Sequence, residues 1–118
     1  MKILYFGNPH LEEDNLAVKV CRKLEDEFKN HEFCYIKDTF ELIDLDLNDA
    51  IILDVVLGID NVRKMSEKEI KQAKIFSLHD FDLGFFLKLK KKNIKIIGIP
   101  SNYSEEKAIQ EIKNLIPN

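Results

Sequence analysis

The sequence predicts an α/β fold, a three-layer sandwich in which helices flank both faces of a mostly parallel, twisted sheet. Two observations point to this fold. Short apolar runs alternate along the chain with longer amphipathic stretches, and the run from Ala50 to Leu57 is apolar at every position except Asp54. Alternating strands and helices imply right-handed βαβ units, and a continuous apolar run is typical of a strand that is covered on both faces.

The first half of the chain contains three predicted strands, one long predicted helix and one short one. Strand 1 runs from Lys2 to Phe6 and is stopped by the turn residues at 7–9. From Leu11 to about Phe28 an apolar residue recurs every fourth position, which predicts an amphipathic helix. Strand 2 covers Phe33 to Ile36, a short helix is compatible with residues 40–45, and strand 3 is the apolar run described above.

The second half continues the alternation. The polar segment from Val62 to about Ala73 indicates a helical excursion, and Lys74 to Leu78 has strand character. A helix is expected to begin at Asp80 and to end in the lysines before Asn93, where cations are favoured. The last strand runs from Ile94 to Ile99, and Ser104 opens a final helix that Pro117 ends.

Composition limits the function classes. The 118 residues are expected to form one domain over 1–118, with 45% hydrophobic and 33% charged residues and a net charge of −3. This mild acidity argues against nucleic-acid binding. Because no apolar stretch reaches the ~20 residues of a membrane span and no signal peptide is evident, we expect a cytoplasmic monomer that binds no membrane. Cys21 and Cys34 are expected to be reduced structural thiols.

Acidic residues and histidines follow the predicted strands. Ligands of open α/β sheets bind at the carboxyl ends of the strands, and the segments there supply His10, Glu13, Asp14, Asp38, Asp54 and His79. Glu13 and Asp14 could instead be acids in the first turn of helix 1, where the helix dipole favours them. His79 could equally be a plain loop histidine.

Asp54 is the acid that is hardest to explain structurally. A carboxylate among Ile, Leu and Val residues is expected to be buried, and a buried charge needs a partner or a bound cation. Two carboxylates and one imidazole would suit nickel or zinc better than calcium and would leave coordination positions open. The sequence therefore suggests an open metal site with oxygen and nitrogen ligands.

Four segments, in order, carry a family resemblance. The stretch from Ile3 to Val18, with its strand, Gly-Asn loop, acidic pair and amphipathic helix, resembles the opening of the hydrogenase maturation proteases. The segments Ile51 to Asp54, Phe76 to His79 and Ile96 to Pro100 are similar to that family's third strand, histidine segment and last strand. The resemblance spans nearly the whole chain and implies a phosphorylase/hydrolase-like sandwich.

The resemblance implies an endopeptidase of the aspartic or metal-dependent type. Such an enzyme removes the C-terminal extension from the precursor of a [NiFe]-hydrogenase large subunit after nickel has been inserted. Asp14, Asp54 and His79 match the metal ligands, with nickel supplied by the substrate and Zn or Cd able to substitute in vitro. Asp14 and Asp54 are then also the candidate catalytic acids, together with Asp38, which matches a family aspartate more loosely.

Several positions depart from the family pattern. Tyr5 and Ala17 stand where glycines are usual, Thr39 and Phe40 replace glycines after Asp38, and the section between the second and third ligand matches is short. The metal could serve only to recognise a loaded precursor, or it could also polarise the scissile carbonyl.

Other functions remain open on the sequence. One is a receiver-like signalling domain with Asp54 as phospho-acceptor, although Gly7 and Asn8 stand where receivers need acids. Another is a metal-binding homologue without catalytic activity. A nucleotide or flavin binder is a weaker alternative because strand 1 is not followed by G-x-G-x-x-G.

Overall fold

The computed structural model describes residues 1–6, 15–36, 49–66, 74–75 and 94–116. Within these ranges the chain forms six strands and two helices. In chain order they are β1 (Lys2–Tyr5), α1 (Leu16–Glu27), β2 (Glu32–Tyr35), β3 (Ile51–Leu57), β4 (Arg63–Lys64), β5 (Lys74–Ile75), β6 (Lys95–Pro100) and α2 (Glu105–Leu115).

The strands form one mixed sheet in the order β2-β1-β3-β6-β4, with β5 beside β3. The four longer strands, β2, β1, β3 and β6, pair in parallel, whereas the two-residue strands β4 and β5 pair antiparallel with β6 and β3. The predicted α/β class with a mostly parallel sheet is confirmed. A long central strand between parallel neighbours explains why the sequence of β3 is apolar throughout except at Asp54.

One predicted element is wrong in its described part. The segment that begins at Val62 was expected to be a helical excursion, but Arg63 and Lys64 form strand β4, paired with Gly98 and Ile97. Pairing to the edge of β6 decides the conformation here, because two charged residues have no periodicity of their own. Positions 67–73 of the expected excursion lie outside the described residues.

Successive side chains of β3 point to opposite faces of the sheet. We call the side that carries Ile51, Leu53 and Val55 the first face, and the side that carries Ile52, Asp54 and Val56 the second face. On the first face, buried residues of β3, β1 and β6 pack with both helices in one apolar cluster. A separate cluster on the second face contains Leu4, Phe6, Ile36, Ala50, Ile52, Val56, Met65 and Ile96.

Both described helices lie on the first face. α1 buries Val20, Cys21 and Leu24, and α2 buries Ala108 and Ile112, all within the first-face cluster. The helices run in the same direction, since Lys23 of α1 pairs with Glu105 at the start of α2, and Glu27 of α1 pairs with Lys113 near its end. This is the packing expected when each helix follows a parallel strand.

The start of α2 follows an ordinary capping rule, whereas the Asn15 side chain makes no capping hydrogen bond at the start of α1. The Ser104 hydroxyl accepts a hydrogen bond from the Lys107 amide at 3.2 Å, as expected of an N-cap residue. α1 begins at Leu16, after Asn15, and its first turn contains no acid. Glu13 and Asp14 lie outside the described residues, so their alternative role as first-turn acids stays a prediction. In the part of the chain that is described, no helix has the length and apolar character needed to cross a membrane.

Candidate functional site

Asp54 lies in the middle of the sheet and is completely buried. Its exposed fraction is 0%, and among the described residues it is the one polar or charged residue that is buried. The burial predicted from its apolar neighbours in sequence is therefore confirmed. Because β3 continues to Leu57, the carboxylate sits inside the strand rather than in the loop that follows it.

The strand order places Asp54 at the point where the chain changes direction across the sheet. From β1 the chain moves outward to β2 on one side, whereas β6 lies on the other side of β3. The last residue of β1, Tyr5, is in register with Leu53, and the Phe6 amide donates to the Leu53 carbonyl at 3.3 Å. Asp54 is the next residue of β3. Reversals of this kind form the ligand crevice of open α/β sheets.

Strand β5 reaches the same edge of β3 further along. β1 pairs with β3 up to Leu53, and β5 pairs antiparallel with β3 from Val56 to Leu57. Asp54 and Val55 are thus the two residues of β3 between these pairings. These two residues lie directly beside the carboxyl end of β1.

A local hydrogen bond orients the carboxylate. The backbone amide of Val55 donates to Asp54 Oδ1 at 2.9 Å in a buried environment. An amide donor to a carboxylate is a charge-assisted hydrogen bond, which is stronger than one between neutral groups. The Val55 backbone amide thus binds one of the two oxygens of the Asp54 carboxylate.

On its β6 side Asp54 faces a glycine. Asp54 is in register with Gly98, and a Cβ placed on Gly98 would lie 2.8 Å from Val56 Cγ2 and 3.0 Å from both Ile59 Cδ1 and Met65 Sδ. These three side chains therefore occupy the space above the glycine. They form what we call the apolar wall, Val56, Ile59 and Met65, next to the carboxylate.

The importance of Gly98 and Met65 was not recognised from the sequence. A glycine inside the apolar run Ile96 to Pro100 was an available signal, because glycine within a strand often marks a close approach by other groups. Which groups approach depends on the antiparallel return of β4, and that pairing has no local sequence pattern.

The other predicted site residues are Asp14, Asp38 and His79, together with the neighbouring Glu13 and His10. All five lie outside the described residues, so their convergence with Asp54 remains a prediction. Within the ranges that are described, no group of three His, Cys, Asp or Glu side chains is arranged to hold a metal ion.

The two cysteines lie in α1 and β2. Both are free thiols, with Cys21 on the buried side of α1 and Cys34 half-buried in β2. Burial raises the pKa of Cys21 well above its ordinary value and raises that of Cys34 as well. Since the thiolate is the reactive form, neither environment activates a nucleophile.

Two positions that depart from the family pattern are part of the core. Tyr5 is buried on the first face with its ring centroid 5.4 Å from that of Tyr35, and burial raises the pKa of its phenol. Ala17, near the start of α1, is fully buried in the same cluster. Side chains larger than glycine are therefore accommodated by packing at both positions.

A polar cluster at the edge of the sheet links the loop after β3 to α2. Glu111 of α2 accepts hydrogen bonds from the Val62 amide at 3.2 Å and from the Tyr103 hydroxyl. Lys107 Nζ lies 5.2 Å from the centre of the Tyr103 ring, and the hydrogen bond to Glu111 raises the pKa of Tyr103. The cluster fixes the path of the chain into β4. Met65, a member of the apolar wall, directly follows β4.

The carboxyl edge thus combines a buried, hydrogen-bonded carboxylate, a reversal in strand order and a glycine covered by an apolar wall. The Asp54 carboxylate is the one charged group that the described part of the chain buries there. No protein-family model, curated protein or solved structure matches the chain.

Proposed function

We propose that this protein is an endopeptidase that removes the C-terminal extension of a [NiFe]-hydrogenase large-subunit precursor after nickel insertion. The observation that carries the proposal is the complete burial of Asp54 at the reversal in strand order. Burial removes the carboxylate from water, and the hydrogen bond from the Val55 amide offsets part of that cost. A role in binding a cation would account for a charged side chain in an otherwise apolar strand.

A three-layer, hydrolase-like sandwich is the fold that we propose for the whole domain. α1 connects β1 to β2 on the first face, and the chain passes from β3 to β6 in the opposite direction across the sheet. A right-handed connection in that direction crosses the second face. The burial of Leu4, Ile52 and Val56 on the second face supports a layer there.

Recognition of nickel is the first role that we assign to the site. Asp14, Asp54 and His79 would complete the coordination of the nickel already held by the precursor, so that only loaded substrate is engaged. Asp54 suits this role because attraction between a carboxylate and a cation strengthens where water is excluded. Zn²⁺ or Cd²⁺ alone would occupy the same ligands in vitro.

The peptide bond would be cleaved by water. A carboxylate removes a proton from the water as it attacks the scissile carbonyl, the C–N bond breaks, and the proton passes to the leaving amine. Asp14, Asp38 and Asp54 are the candidate acids for this step. The environments of Cys21 and Cys34 support a water nucleophile over a thiol.

The decisive experiment incubates the protein with nickel-loaded and nickel-free hydrogenase precursor and measures the mass of the large subunit. We expect only the loaded precursor to be shortened at its C-terminus. Failure to shorten the loaded form of a cognate precursor would contradict the enzymatic proposal, and metal binding without cleavage would favour a non-catalytic homologue.

A second experiment tests the metal ligands in the isolated protein. Asp54→Asn removes one negative charge at nearly constant volume, and we expect it to weaken Ni²⁺ or Cd²⁺ binding in calorimetry, as Asp14→Asn and His79→Ala should also do. Asp26→Asn is the matched control, because Asp26 is an exposed residue of α1 and loses the same charge. Equal affinities in all four variants would refute the site.

The receiver-like alternative predicts a different chemistry. Phosphoryl transfer requires the acceptor carboxylate to meet its donor, just as nickel recognition requires it to meet the metal, so a direct assay is needed to distinguish the two functions. Incubation with acetyl phosphate and Mg²⁺ separates the two possibilities. A phosphoryl adduct that is absent from Asp54→Asn would support the receiver-like function instead.

A further inference from the structure

The two edges of the sheet differ in how they are protected. Among the described strands, β2 and β4 stand at the two ends of the strand order. β4 consists only of Arg63 and Lys64, both exposed, and a very short, charged strand is a common protection of a sheet edge against further pairing. β2 is four residues long, and Glu32 at its start is its only charged residue. The β2 edge therefore lacks the protection that β4 has.

The backbone of β2 alternates between its inner and outer sides. The amides of Glu32 and Ile36 donate to the carbonyls of Met1 and Tyr5 at 3.0 and 2.9 Å. Because the residues between them along a strand direct their backbone groups to the other side, Phe33 turns its N–H and C=O groups away from β1. The Phe33 side chain packs only partly against the first-face cluster and is half-buried. The outer side of β2 thus presents backbone groups and aromatic surface.

The flank of α1 above this edge carries one charge of each sign. Arg22 and Glu25 are both close enough to the Tyr5 phenol for their charges to act on it, and the Glu25 charge also acts on Cys34 in β2. Both side chains belong to exposed residues and, three positions apart, lie on the same side of the helix. The ion pairs between α1 and α2 lie on the opposite flank.

A second β2 strand that pairs antiparallel along this edge is related to the first by a two-fold axis perpendicular to the sheet. Both copies of α1 then lie on the same face. β1 and its copy are three strand spacings apart, which is about 14 Å. α1 packs on β1 and β2, and a helix with its side chains is about 10–12 Å across. The two α1 helices therefore run antiparallel at a distance that arginine and glutamate side chains can bridge.

This arrangement makes the charged flank complementary to itself. Arg22 of one copy lies beside Glu25 of the other, and the two-fold axis repeats the contact. Both charges lie at the level of Tyr5 and Cys34, near the middle of the strands through which the axis passes. The first turn of α1 contains no acid and its last turn no base, so the charges of α1 do not stabilise its own helix dipole. Charge complementarity thus favours a second copy as the occupant of this edge.

We propose that two copies of this chain associate through the outer edges of β2, which pair as antiparallel strands, with Arg22 and Glu25 of the two α1 helices in contact across the axis. This inference goes beyond the proposed function and does not rest on it, because Asp54 takes no part in the interface. The sequence predicted a monomer, and the dimer would replace that expectation.

Charge reversal tests the contact without altering the core. In analytical ultracentrifugation the wild type should show a mass that rises with concentration from the 13.8 kDa of one chain toward twice that value. Arg22→Glu and Glu25→Arg each bring like charges together in both contacts, so each variant alone should dimerise at least about tenfold more weakly. An equimolar mixture of the two variants restores opposite charges in both contacts and should associate as tightly as the wild type.

Asp26→Arg is the matched control for Glu25→Arg. It makes the same change of charge at an exposed position of α1, but one step further round the helix and away from the β2 edge. We expect this variant to dimerise like the wild type.

Cross-linking through Cys34 gives a second readout, which reports where the two copies meet. Antiparallel pairing about the middle of β2 brings the two Cys34 residues within about 8 Å on the same face. A short bismaleimide should therefore join two wild-type chains and two Cys21→Ser chains, which lack only the buried thiol of α1. Cys34→Ser should not be joined.

The outcomes decide the proposal. A constant monomer mass at all concentrations overturns it and leaves the edge to a strand of another protein. A dimer that is equally strong in both charge variants, a mixture of these variants that stays monomeric, or cross-linking that persists in Cys34→Ser also overturns it, because the copies would then meet elsewhere. None of these results bears on nickel-dependent cleavage, so the proposed function is tested separately.

Discussion

The two faces of β3 differ in what they contribute to the molecule. On the first face, Leu53 and Val55 lie beneath α1 and α2 in a wholly apolar cluster. On the second face, Asp54 is flanked along the strand by Ile52 and Val56 and across the sheet by a glycine. One seven-residue strand therefore supplies stability on one side and a chemical group on the other. The alternation of the pleat keeps the two roles apart.

The largest expected effect tests whether the first face serves stability alone. Leu53→Ala removes a fully buried side chain beneath the helices and should lower the free energy of unfolding by about 2–5 kcal/mol in urea titrations. Because the cavity forms on the face opposite Asp54, the protein that stays folded should keep its Cd²⁺ affinity. A parallel loss of affinity and stability would show that the two faces are coupled.

Gly98→Ala tests the close packing of the second face. The added methyl would meet the apolar wall at 2.8 to 3.0 Å, so something must shift. We expect a loss of about 1–3 kcal/mol, the usual cost of overpacking. In a double-mutant cycle, Met65→Ala should recover part of this loss by making room for the methyl. Strictly additive effects of the two substitutions would show that the Met65 side chain does not crowd the methyl added at Gly98.

The sequence predicted those features that depend on local pattern. The apolar runs identified β1, β3 and β6, the repeat at Leu16, Val20 and Leu24 identified α1, and Ser104 marked the start of α2. A lone acid among apolar residues was enough to predict the burial of Asp54. In each case the signal and the structure involve the same short stretch of chain.

Features that depend on distant pairing were not predicted. Strand β4 exists because Arg63 and Lys64 lie against β6, more than thirty positions further along the chain. The contact of Met65 with Gly98 follows from that pairing, as does the hydrogen bond of the Val62 amide to Glu111. No periodicity within residues 58–66 encodes these partners, so only the folded chain reveals the wall beside Asp54.

The hydrogen bond between Tyr103 and Glu111 should have a smaller effect, and one that depends on pH. It raises the pKa of Tyr103 above the ordinary value of 10.0. The resulting stability is complete below that ordinary value and is lost as the pH rises through the raised pKa. As the pH rises above 10.0, the wild type should therefore lose more stability in urea titrations than Tyr103→Phe.

Glu111→Gln separates this bond from the general effect of alkaline pH. The variant keeps an acceptor for the Val62 amide but removes the carboxylate that raises the pKa of Tyr103. Its alkaline loss should match that of Tyr103→Phe. If both variants followed the wild-type curve, the cluster would not join α2 to the segment that leads into β4.

The smallest effect is expected for a charge on the outer side of the first-face helices. Lys23 pairs with Glu105 at 2.8 Å, but its side chain is 58% exposed. Such pairs gain little because water and salt screen them and because two long side chains must be ordered. Lys23→Gln should leave the melting temperature unchanged within error, with and without added salt.

Asp54→Asn removes a charge from the same fold at 0% exposure, and its effect should appear in metal affinity. If Lys23→Gln changed metal affinity as strongly as Asp54→Asn, the affinity would depend on the net charge of the protein. The position of Asp54 on the second face would then not determine metal binding.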